Sequence, residues 1–189
     1  MKLKLIIFLA GILYWNACKL EDLDKVDLLN LPNGGYMRNI VPAIGNMGKL
    51  TFAISKITSD KIDYTVEAIT PENGTLFASY DLFVEFKDKT ASNGNNTKSP
   101  VALKSIGSAS YTPDPTSGYP RASFSISAQE VMDKLGLSVN MITKGDSFEV
   151  TANMVMKDGR VYNAANTDDN FEGGAAYNSP FFYRINVID

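Results

Sequence analysis

An all-β sandwich carrying one short helix is the fold this 189-residue sequence predicts, and three observations predict it. Apolar and polar residues alternate with a period of two along most of the chain from Asn33 onward, the pattern of strands with one buried face. Turn residues interrupt that alternation about every ten positions, as at Pro71-Glu72-Asn73-Gly74, Lys144-Gly145-Asp146 and Asp158-Gly159. A single stretch, following Ser127, switches to helical spacing.

Gly35 to Val41 reads as the first strand and Leu50 to Ile57 as the second, with Leu50, Phe52 and Ile54 on one face. Lys61 to Ile69 alternates cleanly. Ile62, Tyr64, Val66 and Ala68 face in, and Lys61, Asp63, Thr65 and Glu67 face out. After the turn at Pro71 to Gly74, Ser79 to Lys87 is a strand with Leu82, Val84 and Phe86 inward. The polar run Ala91 to Ser99 is an exposed loop. Val101 to Ile106 and Arg121 to Ile126 are short strands separated by an irregular loop rich in proline. Ser127 and Glu130 form a capping-box signature. Ala128, Val131, Met132 and Leu135 repeat with the spacing of one buried helical face, and Gly136 is placed to end the helix in a left-handed cap. Ser147 to Met156 alternates again, and Asp158-Gly159 predicts a two-residue hairpin turn with positive φ at both positions. Val161 to Asn163 returns from it, and Ala164 to Ser179 is a long polar loop. Phe181 to Ile188 closes the chain as a central strand, apolar on both faces at its start. About eight strands with one crossover helix predict a β-sandwich of immunoglobulin type. The Cys-Trp-Cys core of antibody domains is missing, because the chain has one cysteine and one tryptophan, Cys18 and Trp15.

Composition narrows the function classes. Hydrophobic residues make up 44% of the chain, enough for a substantial core. The net charge is −3 and becomes more negative once Lys2 and Lys4 leave with a leader. An acidic chain of this kind is a poor nucleic-acid binder, since phosphate contacts need clustered Lys and Arg. There is no histidine, which removes Ser-His-Asp and Cys-His catalysis, imidazole metal ligation and histidine pH switching. No cofactor is expected.

The first residues address location. Lys2 and Lys4 precede an apolar run from Leu5 to Trp15, shorter than the about 20 residues needed to span a bilayer, and matching the core of an export signal. Ala17-Cys18 resembles the lipobox of bacterial lipoproteins, in which the cysteine is acylated and becomes the new N-terminus. A lone cysteine in an exported chain has no internal disulfide partner and calls for such an explanation. Residues 1–17 are thus expected to be a lipoprotein signal, 18–33 a lipidated tether anchored at Cys18 and 34–189 the sandwich domain. Glu21, Asp22, Asp24 and Asp27 resemble the acidic tag that sends Bacteroidetes lipoproteins to the outer face of the outer membrane. Read without the resemblance, they are a solvated tether.

Several segments carry a wider resemblance: GGYMRNI at 34–40, LGL at 135–137, GDSFEV at 145–150, DGR at 158–160 and SPFFYRINV at 179–187. Their order and spacing resemble small immunoglobulin-like surface lipoproteins found alongside SusC/SusD-like nutrient-uptake pairs in Bacteroidetes. The resemblance implies an accessory role in glycan or nutrient capture, with a glycan or SusC/SusD-like proteins as partners, and brings no catalytic residue with it. The alternative is an adhesion or surface-assembly module that binds other proteins.

Candidate chemistry is sparse. The loop containing Asp168, Asp169 and Glu172 offers oxygen ligands of the kind calcium takes, but its spacing is not that of an EF-hand, and a solvated acidic loop is the plainer expectation. Glu67, Asp81 and Glu85 are strand carboxylates, with Glu67 and Glu85 placed by alternation on outward faces, and are expected to be surface charges rather than a glycosidase pair. Arg38, Arg121 and Arg184 are positioned to pair with them. Tyr111 and Tyr119, in the proline-rich loop, are the candidate ligand contacts, because tyrosine presents an apolar face with a polar tip.

Overall fold

The structure, a computed structural model, describes residues 34–43, 49–167 and 181–189. Two sheets face each other across one core. The first has the order β1 (Tyr36–Val41), β3 (Lys61–Ile69), β7 (Pro120–Ser127) and β6 (Thr112–Pro113). The second has the order β2 (Thr51–Ala53), β10 (Phe182–Ile188), β8 (Ser147–Met156), β4 (Phe77–Lys87) and β5 (Lys98–Gly107), with β9 (Val161–Tyr162) also paired to β8. Every pairing is antiparallel except β2 with β10. With β1, β3, β7 and β6 as strands A, B, E and D, and β4, β5, β8 and β10 as C, C′, F and G, this is the immunoglobulin arrangement. The described residues contain ten strands rather than about eight. The additional ones, β6 and β9 among them, are too short for alternation to announce.

Alternation built the core as expected. Tyr64, Val66 and Ala68 from β3 are buried against Leu82, Val84 and Phe86 from β4 and Phe148, Val150, Ala152, Met154 and Met156 from β8. Aromatic rings bridge the sheets. Tyr64 stacks on its cross-strand neighbour Phe124 at 5.3 Å and meets Tyr183 of the opposite sheet edge-on at 5.0 Å. Phe148 packs between Phe52 and Phe86. Such pairs add about 0.5–1.5 kcal/mol each beyond their area burial.

The helix α1 (Ala128–Leu135) lies in the connection from β7 to β8 and so crosses from one sheet to the other. The Ser127 hydroxyl accepts the Glu130 N–H at 3.1 Å, Gly136 closes the helix at φ 63°, and Ala128, Val131, Met132 and Leu135 are buried. The Glu130 carboxylate pairs with Lys104 of β5 at 3.1 Å, fastening the helix to the sheet edge.

Local details depart from the sequence reading. The second strand ends at Ala53, whose N–H is taken by the Asp60 carboxylate at 2.9 Å, and a 3-10 turn follows. Strand β5 starts at Lys98, inside the run expected to be loop. In the Asp158-Gly159 hairpin, Gly159 alone has positive φ. The Met156 N–H reaches the Arg160 carbonyl, enclosing a three-residue loop that ends in a left-handed glycine. Phe182 is not covered on its outer face: it is 41% exposed, with the Arg184 guanidinium 5.6 Å above its ring.

Candidate functional site

Two polar constellations stand out, one on a sheet face and one at the end of the sandwich. The first grows from strand register. Arg38 of β1 lies opposite Glu67 of β3, and Glu67 lies opposite Arg121 of β7. The three form one row across the outer face of the four-stranded sheet. Glu67 points outward, as alternation requires, yet it is fully buried. The surface-charge expectation for Glu67 is therefore corrected. Arg38 and Arg121 close over its carboxylate from either side, the latter at 2.9 Å, and the Ser117 hydroxyl donates to it from the β6–β7 turn. Arg121 also pairs with Asp114 at 2.6 Å. The Asp114 carboxyl is held below its ordinary pKa, chiefly by the Ser117 N–H, with Thr116 and Arg121 contributing. Two cations face two anions here, so the row is electrically balanced and acts as a clamp that seats the 114–119 turn on the sheet.

Glu85 and Asp81 sit on the other sheet, half-buried, bonded to Lys87 at 2.8 Å and to Ser105 respectively. They share no cleft with Glu67. Tyr111 is buried, with its ring edge-on to Phe77 at 4.7 Å, and burial pushes its phenol well above the ordinary pKa. It is a core residue, and its place as a ligand contact is corrected: the loop before it turns the ring inward under β4. Tyr119 stays half-buried in the 114–119 turn, its carbonyl accepting the Asp114 N–H at 2.9 Å. Cys18, the acidic residues after it, and Asp168, Asp169 and Glu172 lie outside the described residues. Among the described residues no cluster of three or more acidic or cysteine side chains is gathered to hold a metal ion, and no helix is long and apolar enough to cross a membrane.

The second constellation is the β4–β5 loop. It encloses a cleft of about 400 Å³ lined by Asp88, Lys89, Thr90, Gly94, Asn95 and Thr97. Two carboxylates hold it open. Asp88 accepts the N–H groups of Thr90 at 2.9 Å and Asn96 at 2.7 Å, drawing the two ends of the loop together, and these bonds lower its pKa. Asp146, fully buried just before β8, accepts the Lys89 N–H at 2.9 Å and the Thr143 N–H at 2.7 Å, and the Thr90 and Thr143 hydroxyls meet beside it. The Asn93 amide reaches the Asn140 carbonyl at 3.2 Å. The loop is thus tied to the helix-to-β8 connection at several points. Sequence reading assigned Asp146 to a turn and the loop to solvent. The available signal was an aspartate three residues after Thr143, a spacing at which a carboxylate can reach back to a backbone N–H.

Compared with models of known protein families and with curated proteins, the chain matches none.

Proposed function

We propose that this protein is a non-enzymatic, lipid-anchored surface protein that serves as an accessory binding or scaffolding component of an outer-membrane nutrient-uptake system. The observation that carries the binding role is the β4–β5 loop. A ten-residue polar segment is held in one concave shape by Asp88 and Asp146, on a rigid sandwich. Binding sites are commonly loops positioned by a rigid scaffold in this way. The anchor rests on the basic and apolar residues 2–15 followed by Cys18. Two acyl chains give stable membrane attachment where one gives marginal binding. The lack of histidine in the whole sequence supports binding over hydrolytic catalysis.

Fractionation of cells tests the placement. Cys18→Ser is expected to move the protein out of the membrane fraction and to abolish acyl mass. A variant that still sediments with membranes and still carries lipid refutes the anchor. Replacing Glu21, Asp22 and Asp24 by alanine is expected to retain the lipid but reduce digestion by protease added to intact cells. The assembly-module alternative predicts co-purification of a protein partner together with no retention of glycans on an array.

A further inference from the structure

We infer that the β4–β5 cleft binds an uncharged, polyhydroxylated ligand, a sugar ring or short saccharide, through Lys89, Asn95 and Asp88. The inference rests on the binding role proposed above and names its ligand class. At about 400 Å³ the cleft falls in the range of small-molecule sites, roughly 300–1,000 Å³. Its shape is set in advance by the Asp88, Asp146 and Asn93 bonds, so a ligand does not have to order the loop.

The groups left over inside it decide the chemistry. Each Asp88 oxygen takes a backbone N–H and keeps a further lone pair free to accept. The Asn95 side-chain oxygen is occupied by the Thr97 N–H at 3.1 Å, which turns its amide NH₂ outward as a donor. Among the described residues the Lys89 ammonium has no acidic partner, although its backbone N–H is bonded to Asp146. The lining therefore offers one carboxylate acceptor, one ammonium donor and one amide donor within a single cleft.

Opposed charges exclude the simple ions. A phosphate or carboxylate drawn to Lys89 meets the ionised Asp88 in the same lining. A divalent cation drawn to Asp88 meets Lys89, and it finds one carboxylate where calcium takes 6–8 oxygen ligands, as a rule from several residues. A neutral ring with adjacent hydroxyl groups satisfies both. One hydroxyl donates to Asp88 while its neighbours accept from Lys89 and Asn95. The lining contains no aromatic ring, so stacking adds nothing and the affinity of a single site is expected in the millimolar range. Many copies displayed side by side on one surface raise the effective affinity without further contacts.

The experiment is a titration of the full-length protein in detergent, followed by the backbone amide NMR signals of residues 88–97. The probes are glucose, galactose, mannose, N-acetylglucosamine and their disaccharides, with inorganic phosphate and serine as charged comparisons. Saturable shifts with at least one sugar are expected, and weak or no shifts with phosphate and serine. Lys89→Ala and Asn95→Ala should each weaken that sugar about 2- to 10-fold, the range for losing one hydrogen bond, with an unchanged urea midpoint. Thr116→Ala, in a different loop, should leave it unaltered. Sugar binding that survives both cleft variants overturns the cleft and leaves the surface-binding role standing. Preferential binding of phosphate or serine overturns the ligand class. Silence toward every probe from protein with a native urea midpoint overturns the inference altogether, and the fractionation and co-purification experiments then judge the broader role on their own.

Discussion

Glu67 shows how one side chain obeys alternation and still ends in the interior. Its backbone position aims it at solvent, but cross-strand arginines on both sides and the 114–119 turn above remove it from water. A buried carboxylate is tolerated because each of its oxygens is charge-paired. Removing one partner of a fully buried pair costs about 3–5 kcal/mol. Arg38 and Arg121 remain about a third exposed, which weakens the penalty. Glu67→Gln is therefore expected to lower the unfolding free energy by about 2–3 kcal/mol in urea. Glu85→Gln, half-buried on the other sheet, should change it by less than about 0.5 kcal/mol. Equal effects would mean that the row is no clamp. Gly74 poses a second constraint at this scale. It follows Glu72 and Asn73 in three successive residues of positive φ, and a Cβ there would lie 2.3 Å from the Pro120 ring. Gly74→Ala has to move the start of β7 or leave the left-handed region. It is expected to destabilise by about 1–3 kcal/mol, read from the same urea curves.

At the scale of elements, the helix and the β4–β5 loop owe their order to different forces. Helix α1 has eight residues, too few to persist alone in water, and holds its shape through burial. Leu135→Ala is expected to cost about 2–5 kcal/mol, Ser127→Ala about 1 kcal/mol through loss of the cap, and Asp133→Ala, on the exposed side, less than about 0.5 kcal/mol. Thermal unfolding that ranked Leu135→Ala with Asp133→Ala would show the helix to be unpacked. The loop instead depends on carboxylates. Asp88 has its folded pKa lowered, first by the Asn96 N–H and then by that of Thr90. Its contribution is therefore present above the unfolded value near pH 3.9 and is lost as pH falls through the lower folded value. The amide NMR signals of Thr90 and Asn96 should stay constant from neutrality to about pH 4 and shift together below it. In Asp88→Asn that transition should vanish. A transition retained in the variant would assign the titration to another group.

Across the whole molecule, buried tyrosines do what the inter-sheet disulfide does in antibody domains, joining the two layers through their middle. Tyr80 and Tyr183 are fully buried and share a hydrogen bond at 3.0 Å, and Tyr64 of the opposite sheet packs on Tyr183. Burial is the main cause raising the pKa of Tyr64, Tyr80, Tyr111 and Tyr183, reinforced at Tyr80 by the neighbouring Tyr183. The sign follows directly. Unfolded tyrosine ionises near pH 10 while the folded core retains its protons, so stability falls as pH rises beyond that value. Tyrosinate absorbance should therefore appear in two stages, exposed residues near pH 10 and the buried set together with loss of the far-UV β signal. Ionisation of all the tyrosines in one stage, with the β signal intact, would show that the core admits hydroxide.

Local pattern determined the sheets, the inward residues of β3, β4 and β8, and the capped helix, because period and capping are properties of neighbouring residues and survive in a linear reading. The same linear reading placed Glu67 on an outer face and the 91–99 run in a loop. It was silent on what covered either one. Tertiary structure decided that Arg38, Glu67 and Arg121 meet, since register between β1, β3 and β7 joins residues as far as 54 positions apart. It turned Tyr111 into the core and brought Asp146 beneath the loop 57 positions earlier that it organises. A chain shows which side chains can bury or pair. Which of them do so depends on how strands distant in sequence align, and that alignment is set by the packing of the whole core.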